Sequence, residues 1–222
     1  MPMGVSKKEI ALHVSESIGE ISVLITEPDD IQAVLVLAHG AGAGMRHRFL
    51  ESLSAALAEH SIGCVRFNFP YMENGKKRPD PPAIAEKTVE KVLGFAHELH
   101  PRLPLVAGGK SFGGRMTSQR LAKECPAFVK GIVFYGFPLH PSGKPSTDRA
   151  AHLSGIHIPM LFLQGTRDTL AEMVLMERVC SGLATASLKK FEGADHSFNQ
   201  GKTNNIPVLA QMTEEWVRNC SI

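Results

Sequence analysis

The stretch Leu103 to Met116, LPLVAGGKSFGGRM, constrains this chain more than any other. Leu105-Val106-Ala107 is a short apolar run behind Pro104 and suits a buried strand. Met116 to Glu124 has helix-forming composition and is stopped by Cys125-Pro126. Between them Gly108, Gly109, Gly113 and Gly114 surround a single serine, Ser111. A strand that turns this sharply into a helix puts Ser111 at the bend, with its hydroxyl exposed at the sheet edge. Glycines two before and two after it, Gly109 and Gly113, remove the Cβ atoms that would collide there.

Three other readings of local motifs fail. Gly109-Lys110-Ser111 ends like a phosphate-binding loop, but that motif needs a glycine at position 104, which is proline. His39-Gly40-Ala41-Gly42-Ala43-Gly44 follows a strand as a dinucleotide-binding loop would. Its third glycine position holds Met45, and Glu59 falls inside a helix and not at a strand end. The HGAGAG loop is read instead as a source of backbone N–H groups near Ser111. His97-Glu98-Leu99-His100 spaces its histidines three apart, not the four of the zinc motif.

At 222 residues the chain can bury a sizeable core without help from disulfides or metal. A formal charge of +2 is too small to argue for nucleic acid or an anionic membrane. Lys76-Lys77-Arg78, the one basic cluster, is followed by Asp80 and reads as a solvated loop. Cys64, Cys125, Cys180 and Cys220 are widely spaced, which suits a reducing compartment and neither a zinc site nor a disulfide framework. The first residues, MPMGVSKKE, contain no apolar signal segment, and no run approaches membrane-spanning length. The expected location is the cytoplasm.

In chain order, residues 9–14 and 20–26 read as an antiparallel hairpin. Residues 33–38 (AVLVLA) form a strand buried on both faces, and Phe49 to Leu57 recur at helical spacing. A strand over 62–69, a polar loop over 72–82 and a helix over 84–100 follow. After the Ser111 turn come a strand at 129–135 and a polar, proline-containing segment at 139–151, expected to loop over the site. A strand at 160–164, a helix at 172–183, a short strand at 188–191 and a terminal helix at 206–219 complete the chain. Strands alternating with helices imply an α/β fold in one domain spanning residues 1–222. The sheet is mostly parallel with helices on both faces and an antiparallel hairpin at its start. No linker or repeat interrupts it, and few residues remain for a lid.

A serine hydroxyl is a weak nucleophile and needs a base within hydrogen-bond reach, itself oriented by a third group. Downstream of Ser111, Asp168 follows a strand within Gly-Thr-Arg-Asp, and His196 follows the last strand within Gly-Ala-Asp-His-Ser-Phe. The order Ser, Asp, His, each after a separate strand, is that of an α/β-hydrolase. Asp195, adjoining His196, and Asp148 are competitors of Asp168 for the acid. The expected oxyanion donors are the backbone N–H of Phe112 and one from the HGAGAG loop, Ala41 ahead of Gly42.

HGAGA, RFNFPY, GGKSFGGRM, YGFPLHPSGKP, QGTRD and DHSF together resemble the compact, lidless, dienelactone-hydrolase-like esterase branch of the α/β-hydrolases, from about residue 33 to 200. YGFPLHPSGKP, Tyr135 to Pro145, is the most specific of these motifs. It resembles a subgroup of bacterial proteins and eukaryotic relatives, one of them a subunit of a chromatin-modifying complex. The resemblance implies Ser111 as nucleophile, Asp168 as acid, His196 as base and Ala41 and Phe112 as oxyanion positions. True dienelactone hydrolases use cysteine where this chain has Ser111, which tells against a dienelactone substrate.

Two functions follow as expectations. The first is a serine hydrolase of carboxylesterase or thioesterase type. It would cleave a small ester or thioester through an acyl-enzyme, without cofactor, metal, nucleic acid or membrane. Phe69, Tyr71, Phe137, Leu139 and Phe198 are the candidate pocket walls. The second is a catalytically silent scaffold of the same fold. Lys110, beside the serine, fits either an anionic substrate or a salt bridge on the helix side.

Overall fold

The computed structural model describes residues 4–219. The reading of Met1–Met3 as lacking a signal and the state of Cys220 lie outside the described residues. Alternation along β3 (Ala33–Ala38) sorts the protein into layers. Val34, Val36 and Ala38 face one apolar cluster and Ala33, Leu35 and Leu37 face another, so the strand is buried on both sides. Its neighbours share that character: β4 (Ile62–Phe67), β5 (Leu105–Lys110) and β7 (Met160–Gly165) are buried throughout.

The eight strands form one sheet in the order β1-β2-β4-β3-β5-β6-β7-β8. β1 (Val5–Ser15) pairs antiparallel with β2 (Gly19–Pro28), and β2 pairs antiparallel with β4. From β4 through β3, β5, β6 (Val129–Tyr135) and β7 to β8 (Ala186–Phe191), every pairing is parallel. The hairpin is longer at both ends than the sequence suggests, because cross-strand pairing continues through polar residues such as Lys7 and Lys8.

Helix α1 (Arg48–Ala58) and the last helix, Ile206–Asn219, pack together on the second cluster. The first cluster lies under two helices on the opposite face, Pro82–Leu99 and Phe112–Lys123. Between α1 and the first of these, Pro70 opens a single-turn helix, α2 (Pro70–Glu73), where a strand end was expected. Its fixed φ suits a first turn. In chain order, Pro82–Leu99 is α3, Phe112–Lys123 is α4, Met173–Ser181 is α5 and Ile206–Asn219 is α6. The 139–151 segment does not arch over Ser111. It leads into a 3-10 turn, Asp148–Gly155, that packs on α4 through buried Ala150 and Leu153. No lid is inserted between these elements among the described residues. No helix among them is long and apolar enough to cross a membrane.

Candidate active site

The chain reverses direction across the sheet at β3. From β3 it steps to β4 on one side, then returns to place β5 on the other. Loops leaving β3 and β5 therefore part at this point and open a crevice at the strand ends. The β5 loop carries Ser111 and the β3 loop carries HGAGAG.

Ser111 sits between β5 and α4 at φ 51° and ψ −116°, a conformation rare for any residue with a Cβ. The flanking glycines are required by close approach. A Cβ on Gly113 would meet the Ala38 carbonyl oxygen at 2.5 Å, and one on Gly109 would meet the Gly114 nitrogen at the same distance. Helix α4 thus begins immediately after the serine, four residues earlier than its composition suggests. Gly113 and Gly114, which read as part of the turn, are its first turn, pressed against β3 and β5.

Three separate strand ends bring Ser111, His196 and Asp168 together. His196 Nε2 lies 2.9 Å from Ser111 Oγ, and His196 Nδ1 lies 2.7 Å from Asp168 Oδ2. Asp168 is 4% exposed and accepts only, so Nδ1 carries the proton and Nε2 presents a lone pair to the serine hydroxyl. The carboxylate is itself oriented. Gln164 Nε2 donates to Oδ2 at 2.5 Å and the Leu170 N–H donates to Oδ1 at 2.8 Å. Gln164 Oε1 in turn accepts from the Phe137 N–H at 2.8 Å. Asp195 is occupied elsewhere, accepting from the N–H groups of Ser197 and Asn199 and from the Asn199 side chain. Asp148 opens the 3-10 turn and makes no hydrogen bond or ion pair with His196 among the described residues.

The HGAGAG loop is pinned from behind by the RFNFPY segment. Arg66, 1% exposed, donates to the Met45 carbonyl at 2.8 Å, and Asn68 Oδ1 accepts from the Met45 N–H at 2.7 Å. His39 Nδ1 donates to the Gly40 carbonyl at 2.7 Å, while its Nε2 accepts from the Phe69 N–H at 3.1 Å. The bond accepted at Nε2 needs a neutral ring, and burial pulls the His39 pKa down to about 4. The Gly42 N–H donates to the Tyr71 hydroxyl at 2.8 Å and is thereby committed. The N–H groups of Ala41 and Phe112 have no acceptor among the described residues. A Cβ built on Gly40 would stand 3.7 Å from Ser111 Cβ, so the loop adjoins the serine.

A cleft of about 930 Å³ opens beside Ser111 and His196. Of the five expected walls only Phe198 lines it among the described residues. Phe69, Tyr71, Phe137 and Leu139 are buried in the first core cluster. Their aromatic rings brace the loops instead: Phe69 packs edge-on against both His39 and Phe112. Phe49, which sequence reasoning passed over as a helix residue, stacks on Phe198 at the cleft wall.

Among the described residues Lys110 makes no salt bridge. Its Nζ donates to the His196 carbonyl at 2.6 Å and lies 5.9 and 5.7 Å from the ring centroids of Phe49 and Phe198. It is 8% exposed. Burial pulls its pKa from 10.5 down to about 8, opposed by the charges of Asp168 and Asp195. Buried Cys64 and Cys180 have their thiols pushed up to about 12, which keeps them inert near neutrality.

Residues 31–220 match the family model for an alpha/beta hydrolase domain. Among solved structures, the chain is similar to an α/β serine hydrolase homologue from Coxiella burnetii. The TM-score is 0.76, at 20% identity over 96% of each chain. It is also similar to a dienelactone hydrolase from Anabaena variabilis, with a TM-score of 0.76 at 18% identity, over 96% of this chain and 98% of that one. A third is an α/β serine hydrolase without a lid from Xanthomonas campestris. Its TM-score is 0.72 at 19% identity, over 96% of this chain and 94% of that one. At these identities the likeness is one of fold.

Proposed function

This chain belongs to the α/β-hydrolase domain family, and on that premise we propose that it is a serine hydrolase cleaving a small ester or thioester. The observation that carries the reading is the unbroken hydrogen-bonded series Ser111–His196–Asp168, with 2.9 and 2.7 Å links, at the mouth of a cleft. A structural serine would need neither a base presenting a lone pair nor a buried carboxylate fixing that base's tautomer.

In the proposed reaction Ser111 Oγ attacks the carbonyl carbon and its proton passes to His196 Nε2. The carbonyl oxygen becomes an oxyanion facing the unsatisfied N–H groups of Ala41 and Phe112, each such donor being worth ~3 kcal/mol in a transition state. Collapse of the tetrahedral species breaks the bond to the leaving group, which takes the proton from His196. A water molecule then gives its proton to the same nitrogen, attacks the acyl-enzyme, and releases the acid as Ser111 recovers its hydrogen. Asp168 stays ionised throughout and stabilises the imidazolium. The open cleft and absence of an inserted lid among the described residues favour short acyl groups. The intact series also argues against the scaffold alternative, since a docking function would not need it.

The test is hydrolysis of a series of short p-nitrophenyl esters and acyl thioesters by wild type and by Ser111→Ala, His196→Gln and Asp168→Asn. Turnover by wild type, lost in the serine variant and reduced at least ~10³-fold in the other two, is the expected result. Equal rates in wild type and Ser111→Ala would overturn the reading.

A further inference from the structure

The cleft beside Ser111 is cationic. Lys110, Arg48 and Lys202 line it, the last two with exposed side chains, and no Asp or Glu lines it among the described residues. The lysine and arginine salt bridges among the described residues involve other side chains. Asp168 and Asp195 lie close enough to Lys110 to offset its charge, and both are held by hydrogen bonds, Asp168 to His196 and Gln164 and Asp195 to the turn at Ser197 and Asn199. Both α1, starting at Arg48, and α6, starting at Ile206, begin at this cleft, and their N-terminal ends add partial positive charge.

A neutral short ester needs none of this charge. Its carbonyl oxygen is served by backbone N–H groups, and a cleft of about 930 Å³ exceeds what a small acyl group fills. We propose that the substrate carries an oxyanion, a carboxylate or phosphate, apart from the scissile carbonyl, and that Arg48 and Lys202 bind it. The proposal rests on reading Ser111 as the nucleophile. Lys110 is tied to the His196 carbonyl and offset by Asp168 and Asp195, which leaves the exposed pair as the cations available to a ligand. That pair is free to move onto a ligand, Arg48 with a planar fork suited to either oxyanion.

Two measurements test this, one independent of the chemistry. Calorimetric titration of Ser111→Ala with phenyl phosphate, benzoate and benzyl alcohol reads binding alone. At low salt one or both anions should bind about fivefold more tightly than the alcohol. That advantage should shrink in about 0.5 M NaCl and vanish in Ser111→Ala carrying Arg48→Gln and Lys202→Gln. The stronger of phosphate and carboxylate identifies the oxyanion. In the kinetic arm, wild type should favour mono-p-nitrophenyl succinate over p-nitrophenyl butyrate in kcat/KM. The Arg48→Gln/Lys202→Gln variant should bring the ratio of the two toward one. The proposal is overturned if neither anion outbinds benzyl alcohol, or if the preference survives in the double variant. Should the anions bind as expected while wild type cleaves no ester, the nucleophile reading fails and the anion site stands.

Discussion

Replacing Lys110 with methionine isolates the energetic cost of the buried ammonium beside Ser111. The methionine keeps the length and apolar stem of the side chain and removes its charge. A pKa of about 8 in the folded protein, against 10.5 for the free side chain, means folding penalises the charged form by roughly 3 kcal/mol. The penalty applies in full below pH 8, where both folded and unfolded chains hold the proton. Between pH 8 and 10.5 the folded chain has released the proton and the unfolded chain has not, so stability rises with pH. Above 10.5 both are neutral and the gain is complete. Lys110→Met has no such group, so it supplies the reference for every other titration in the protein. Urea unfolding of both proteins at intervals from about pH 7 to 11 gives the difference in stability at each pH. Wild type should gain about 3 kcal/mol on the variant across that window. The absolute offset is smaller and of either sign, because methionine also forfeits the bond to the His196 carbonyl and the contacts with Phe49 and Phe198. Parallel curves would mean that the ammonium is as well stabilised in the folded protein as in the unfolded chain, and that its burial carries no such penalty.

Other consequences follow from single residues. Ser111→Gly should unfold at higher denaturant than Ser111→Ala by about 1 kcal/mol, because glycine alone adopts φ 51° without strain while both lack the hydroxyl. Gln164→Leu leaves the buried Phe137 N–H without an acceptor and removes a donor from Asp168. It should cost about 1–3 kcal/mol in urea unfolding and lower kcat with little change in KM. Gly113→Ala should destabilise, since its Cβ would meet the Ala38 carbonyl oxygen at 2.5 Å, whereas Gly94 has open space around its Cβ position and lies within α3. The helix-interior Gly94→Ala change should stabilise by about 0.5–1 kcal/mol, read from the same denaturation curves.

The parts of the fold written plainly in the chain are those where apolar runs meet unambiguous breakers. β3, β6 and α6 begin and end as their sequences suggest. α4 does not, because Gly113 and Gly114 look like turn residues, while their role is to let α4 lie against β3 and β5. The same limit explains the pocket walls. Phe69 and Tyr71 follow a strand that ends at the site's edge of the sheet, but chain order does not reveal which side of a loop a ring faces. Here they brace His39 and Gly42 from the core side. Gln164 lies within the QGTRD motif, yet its amide becomes meaningful only once β7 sets it beside both Asp168 and the Phe137 N–H. Lys110 suggests an anionic substrate from the sequence alone, but Arg48 and Lys202, 154 positions apart, come to one cleft only in the folded protein.

Whether Ser111 is a nucleophile activated by His196 can be read from intact mass after treatment with a fluorophosphonate probe. Wild type should take a single label, Ser111→Ala none, and His196→Ala the same label far more slowly. Folded wild type that takes no label, or Ser111→Ala that labels as wild type does, would mean that Ser111 is not an activated nucleophile.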